Sequence, residues 1–153
     1  MIDVRPFVAA DAVAVGRMLV EMATGYGATF DLGLDVPADV VRRSRDTDFL
    51  VAARGGEPCG FASFTSLYPV AGLLAFTYIR QIYVSLDARR LGVAQVLMKG
   101  IARISRDRGI AKMEWSTNID NAGARALYEG LGARGAEKMQ YVLDGVALRT
   151  LEQ

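Results

Sequence analysis

Two periods of apolar and polar residues alternate along this chain. Ile2 to Arg5 switches every residue, as a short half-buried strand does, and from Asp11 the apolar Ala12, Val15, Leu19 and Met22 recur at helical spacing until Gly25 and Gly27 interrupt them. Pro37 suits a helix first turn, and Val40 and Val41 precede Arg42, Arg43 and Arg45, so a second helix is expected from about Pro37 to Arg45, its basic end suited to the helix dipole. Phe49 to Ala53 and Cys59 to Leu67 read as strands of a hairpin around Gly55-Gly56, since paired glycines supply positive φ. A turn over Tyr68 to Gly72 leads into a long strand, Leu73 to Val84, that ends at Ser85-Leu86-Asp87. The period then changes: Val93, Val96, Leu97, Ile101 and Ile104 share a helix face opposite Lys99, Arg103 and Arg106, and Gly109 stops that helix. Lys112 to Thr117 reads as a strand and Asn121 to Leu131 as a helix ended by Gly132. Met139 to Leu143 and Val146 to Leu151 read as a closing hairpin around Asp144-Gly145.

This order defines an α/β (α+β) chain: a mixed, mostly antiparallel sheet with one central β-α-β crossover, flanked by helices. Such crossovers are right-handed in nearly all sheets, so the strand near Tyr83 and the strand near Trp115 are expected to lie parallel, with the intervening helix across one face. At 153 residues, 52% apolar and 23% charged, the composition is globular, and with no repeat or Pro/Gly/Ser linker one domain over 1–153 is expected. Histidine is absent, which removes imidazole general bases, Ser-His-Asp and Cys-His catalysis and the HExxH zinc site. The single cysteine, Cys59, forms no internal disulfide or thiolate metal cluster, so no metal is expected and the cytoplasm is the default compartment. The acid in Met1-Ile2-Asp3-Val4-Arg5 argues against a signal peptide, and no apolar run approaches the ~20 residues of a membrane span, so no membrane partner is expected.

Charge changes this picture locally. The formal net charge is +1, yet between positions 80 and 112 Arg80, Arg89, Arg90, Lys99, Arg103, Arg106, Arg108 and Lys112 face only Asp87 and Asp107. Long basic side chains on an exposed helix face account for Lys99, Arg103, Arg106 and Arg108. Arg89 and Arg90 stand apart because they precede Leu91-Gly92-Val93-Ala94 at a strand-to-helix junction, where unpaired amides and the positive end of the helix dipole suit an anion. Small residues at positions 92 and 94 leave those amides open to a phosphate.

Ile82-Tyr83-Val84, the loop Arg89 to Ala94, and Asn121, Ala124, Leu127-Tyr128-Glu129 and Leu131-Gly132 together resemble the GNAT superfamily of acetyl-coenzyme A dependent N-acetyltransferases, in order and in spacing. The match is close over positions 79 to 134; the N-terminal half carries no specific motif. The resemblance implies that Arg89, Arg90, Leu91, Gly92, Val93 and Ala94 hold the pyrophosphate of acetyl-CoA and that Ile82, Tyr83 and Val84 present the backbone that pairs with the pantetheine arm, through Ile82 and Val84. It implies that Asn121 supports the cofactor near its reactive end and that Tyr128 is the general acid that protonates the leaving thiolate. The reaction it implies is direct acetyl transfer to a primary amine of a small molecule in a ternary complex. Peptide or protein acetylation, and a non-catalytic acyl-CoA-binding module, are the alternatives.

One departure stands out. Many relatives carry a glutamate where this chain has Arg80, so the general base is unassigned: water leading to a carboxylate such as Glu21, Glu57 or Glu114, or no base at all for an acceptor amine already partly neutral. Arg80 suits pairing with an anionic group of the acceptor, or a plain salt bridge. Tyr26, Phe30, Tyr68 and Tyr78 are candidates for lining an acceptor pocket, or for packing. Gly130-Leu131-Gly132-Ala133-Arg134-Gly135 spells Gly-x-Gly-x-x-Gly, but it follows a helix instead of opening one, so no nicotinamide cofactor is expected. Nucleic-acid binding is not expected either, since a cofactor's phosphates account for the basic cluster. The two C-terminal strands would end the sheet with an exposed edge, which makes a homodimer possible.

Overall fold

The computed structural model describes residues 1–70 and 72–151; Ala71, inside the expected Tyr68–Gly72 turn, lies outside them. The described chain divides into two compact units, one spanning Met1–Ser116 and the other beginning at Thr117.

The first unit is built on a five-stranded sheet in sequential order: β1 (Ile2–Pro6), β2 (Asp48–Arg54), β3 (Glu57–Val70), β4 (Leu74–Val84) and β5 (Met113–Glu114). The first three pairings are antiparallel, and β4 pairs β5 in parallel. The expected crossover is therefore present, carried by α3 (Val93–Asp107). The β2–β3 hairpin turns on Gly55 and Gly56, with φ of 61° and 89°, the left-handed backbone that makes glycine the fitting residue there. The strand expected from Lys112 to Thr117 is reduced to two residues, and β3 runs on to Val70 through most of the expected turn.

Helices α1 (Ala12–Gly25) and α2 (Val36–Arg43) serve one face of the sheet. Val15, Met18, Val40, Val51 and Phe61 form a buried cluster there, with Phe7, Leu19, Val36, Phe49 and Tyr83 packed against it. The α3 stripe of Val93, Leu97 and Ile101 is buried. Gly100 brings α3 so close to the sheet that a Cβ at that position would stand 3.0 Å from Leu50 and 3.1 Å from Val4. Below it, buried Thr77 of β4 meets buried Ser105 of α3 at 2.7 Å between hydroxyls. A capless entry to α1 is organised by Asp11, whose buried carboxylate takes both Arg5 guanidinium nitrogens at 2.7 Å and the Val8 amide at 2.9 Å.

The second unit contains α4 (Ala122–Gly130) and α5 (Gly145–Leu151). Helix α4 matches its expected span, with Asn121 at the N-cap accepting the Ala124 amide at 3.1 Å. The expected C-terminal hairpin is corrected: 139–143 has no strand, and Val146 to Leu151 coils into α5. A strand needs a neighbour for its N–H and C=O groups, whereas Gly-Val-Ala-Leu-Arg-Thr-Leu satisfies its own, as in Leu148 N–H to Asp144 O at 3.2 Å and Thr150 Oγ1 to Val146 O at 3.0 Å. The helix also removes the strand edge on which the homodimer expectation rests. Among the described residues, no helix is long and apolar enough to cross a membrane.

Candidate active site

The chemistry-bearing sequence of the first unit gathers where β4 ends and α3 begins. The Ser85 amide donates to Cys59 O of β3 at 3.0 Å, so by the two-residue alternation of a strand Val84 and Ile82 turn their own N–H and C=O groups to the opposite edge. On that edge β5 pairs with β4 only at Thr77 and Tyr78, and among the described residues no strand pairs with β4 beyond them. The separation begins at a bulge: Ser63 faces Gln81 and Phe64 faces Ile79, which leaves Arg80 as the extra residue. Arg80 is exposed there, and among the described residues no ion pair engages it.

After β4 a single 3-10 turn, Leu86–Ala88, leads into the basic loop. Arg90 and Gly92 both adopt positive φ, 62° and 80°, and Gly92, the N-cap of α3, has no side chain with which to cap the helix. The first amides of α3 are therefore left for a ligand or water. Nothing lies within 4 Å of where a Gly92 Cβ would stand, and Arg89, Arg90, Leu91 and Gly92 are all exposed. An exposed loop with two left-handed residues, ahead of a helix whose first amides have no side-chain cap, is of the kind whose backbone N–H groups suit an anion such as a diphosphate. Val93 is buried and anchors the loop to the sheet.

Tyr83 links this end to α1. A row of rings crosses the sheet from Phe7 to Phe49, Phe61 and Tyr83, with successive centroids 6.0, 6.3 and 6.2 Å apart, and it sets the position of the Tyr83 ring. The Tyr83 hydroxyl donates to Glu21 Oε2 at 2.9 Å. The Arg89 guanidinium lies 6.0 Å from the ring centroid, and its Nε donates to Val84 O at 3.4 Å. Burial, then the Glu21 hydrogen bond, hold the Tyr83 phenol above its ordinary pKa, while Arg89 opposes them. Burial likewise raises the thiol of Cys59, which is interior and unsuited to act as a nucleophile.

Other expected site residues are placed less closely. Tyr78 is half-buried on β4; Tyr26 and Phe30 follow α1 and are exposed, as is Tyr68 near the end of β3. Asn121 and Tyr128 stand at the cap and within α4 of the second unit, Tyr128 half-buried. Of the three carboxylates considered for a base, Glu114 is ion-paired with Lys112 at 2.6 Å and Glu57 is exposed beside the β2–β3 turn. The pairing of Glu21 with Tyr83 is what sequence reading missed. Its one trace is that Glu21 follows buried Met18 by three residues and so flanks the buried stripe of α1.

An open strand edge followed by a helix entry without a side-chain cap leaves backbone polar groups of both elements available to a ligand. The acetyltransferase (GNAT) family model matches residues 16–133, and the chain belongs to that family. Thialysine N-epsilon-acetyltransferase from Caenorhabditis elegans is 29% identical over 102 residues, which cover 64% of this chain and 63% of the worm protein, so the match spans under two thirds of that relative. Among solved structures, an integron cassette protein from the mobile metagenome of V. cholerae superposes with a TM-score of 0.80 at 20% identity, over 99% of this chain and 98% of that one. Ribosomal-protein-alanine N-acetyltransferase from Brucella melitensis biovar Abortus 2308 gives 0.76 at 22% identity, over 95% and 100%. At these identities the structural likeness concerns the fold.

Proposed function

We propose that the protein transfers an acetyl group from acetyl-CoA to a primary amine of a small molecule. The observation that carries this reading is the open Arg89–Ala94 loop at the uncapped N-terminus of α3, directly after the unpartnered edge of β4. In this reading the amides from Arg89 to Ala94 and the Arg89 and Arg90 side chains hold the diphosphate, and the outward backbone groups of Ile82 and Val84 bond the pantetheine arm. Bound acetyl-CoA supplies an activated acetyl thioester. Asn121 offers its side-chain NH2, since its Oδ1 already caps α4. The Tyr128 hydroxyl is the proton source, a role worth typically ~10² to 10⁴ in rate. The name of the worm relative concerns the amine of an amino acid, which favours a metabolite over a protein acceptor.

The test has two parts. Calorimetry with coenzyme A should show uptake by the parent and a large loss in Gly92→Val. A screen of amines, amino acids and peptides with acetyl-CoA and thiol detection should then show release with a small amine, and Tyr128→Phe should lower turnover by at least ~10² with coenzyme A binding intact. Release with peptides alone points to a protein acetyltransferase, and uptake without release to a binding module.

A further inference from the structure

Among the described residues no arginine or lysine lies within ion-pair distance of Glu21, which is half-buried on α1 and bonded to Tyr83 of β4, although the Arg89 guanidinium reaches the same tyrosine. Arg5, Arg42, Arg43, Arg106, Arg108, Lys112 and Arg125 are paired with other carboxylates. A carboxylate partly withdrawn from water attracts a cation more strongly than one in bulk solvent, because the effective dielectric constant around it is lower. The Tyr83 hydroxyl occupies one of about four acceptor positions on this carboxylate, and leaves the others for an incoming donor. The same tyrosine is fixed from one side by the aromatic row and from the other by Arg89, a residue of the loop assigned above to the diphosphate.

We propose that Glu21 is a specificity residue that seats an ammonium group of the acceptor, with Tyr83 as the positioning residue that aims the carboxylate. The proposal rests on reading the β4–α3 junction as the acetyl-CoA site, since that reading puts the acceptor beside Tyr83. It gives a positively charged small amine preference over a neutral one. The Tyr83 hydroxyl is thus tied to an acid on α1, while β4 itself carries the cationic, exposed Arg80 at its bulge.

Calorimetric titration of pentane-1,5-diamine and pentane-1,5-diol into the coenzyme A-loaded protein tests it. The parent should bind the diamine at least ~10-fold more tightly than the diol, Glu21→Gln should abolish that preference, and Tyr83→Phe should reduce it. In thiol-release assays Glu21→Gln should raise KM for the diamine about 10-fold with kcat within ~3-fold, and leave an uncharged arylamine acceptor unaffected. Equal diamine affinity in the parent and a Glu21→Gln variant with unchanged melting overturns the proposal, as does a collapse of kcat at constant KM. Parent protein that takes up coenzyme A but shows no preference for the diamine sinks the Glu21 assignment alone. Absence of coenzyme A uptake sinks the functional reading, and titration of the diamine into unloaded parent and Glu21→Gln protein then decides the carboxylate's part separately.

Discussion

Gly60 is where the sheet sets the height of the basic loop ahead of α3, and Gly60→Ala tests that link. Gly60 pairs with Val84, and a Cβ added to it would stand 2.9 Å from Val93 Cγ1, 3.0 Å from the Tyr83 carbonyl oxygen and 3.5 Å from Leu97 Cδ1. The carbonyl belongs to the β3–β4 ladder and cannot retreat without loosening it. The first turn of α3 must therefore lift, starting at Val93, which is 2% exposed. Overpacking of this kind costs roughly 1–3 kcal/mol, offset by about 0.4–1 kcal/mol because alanine restricts the unfolded chain. A net loss of about 1–2 kcal/mol corresponds to a fall in Tm of roughly 2–8 °C for a domain of this size. Urea unfolding should show a lower midpoint at unchanged slope, and calorimetry a weaker uptake of coenzyme A. Gly123→Ala is the control: it lies in α4 with nothing within 4 Å of its Cβ, so it should be neutral or add about 0.5–1 kcal/mol. If Gly60→Ala melts with the parent and binds coenzyme A equally well, contact between β3 and Val93 does not position the loop.

Further perturbations follow from particular features of the structure. Arg5→Ala strips both guanidinium bonds from buried Asp11 and should cost roughly 1–3 kcal/mol, below the figure for a fully buried pair because Arg5 is 36% exposed. Chiefly through the Arg5 hydrogen bonds, the folded Asp11 carboxyl titrates below its unfolded value, so its contribution is present above about pH 4 and lost as pH falls through the depressed pKa. Asp11→Asn should flatten that acid limb in thermal melts. At the α3–β4 contact the Ser105 hydroxyl donates to Ile101 O at 2.9 Å, which makes Thr77 the donor to Ser105. Ser105→Ala strands that buried donor at about 1–3 kcal/mol, so the double variant with Thr77→Val should lose less in urea than the two single losses together. Gly92→Val meets open space but must hold φ at 80°, so it should fold with a penalty of roughly 1–3 kcal/mol while coenzyme A binding falls by far more.

How much was legible in the chain varies by segment. The spacing of Val93, Leu97 and Ile101 predicts α3 because burying one face of a helix imposes a period that local sequence must carry. Gly55-Gly56 predicts its hairpin for an equally local reason, the sign of φ. Asn121 predicts the start of α4 because a cap is made within three residues. The same locality misleads at the C-terminus, where the apolar run Tyr141-Val142-Leu143 ahead of Asp144-Gly145 imitates a hairpin strand. Such a run needs a second strand for its N–H and C=O groups, and among the described residues 139–143 pairs with none.

By itself, then, the sequence determined the order of the elements as far as α4, the parallel crossover and the basic loop, since each follows from interactions spanning a few residues or from one rule of handedness. The tertiary structure decided what brings distant residues together. The bulge that isolates Arg80 depends on the register of β4 against β3. The bond from Tyr83 to Glu21 joins positions 62 apart, and the helix packing that closes this distance leaves only a faint mark on either residue's neighbours.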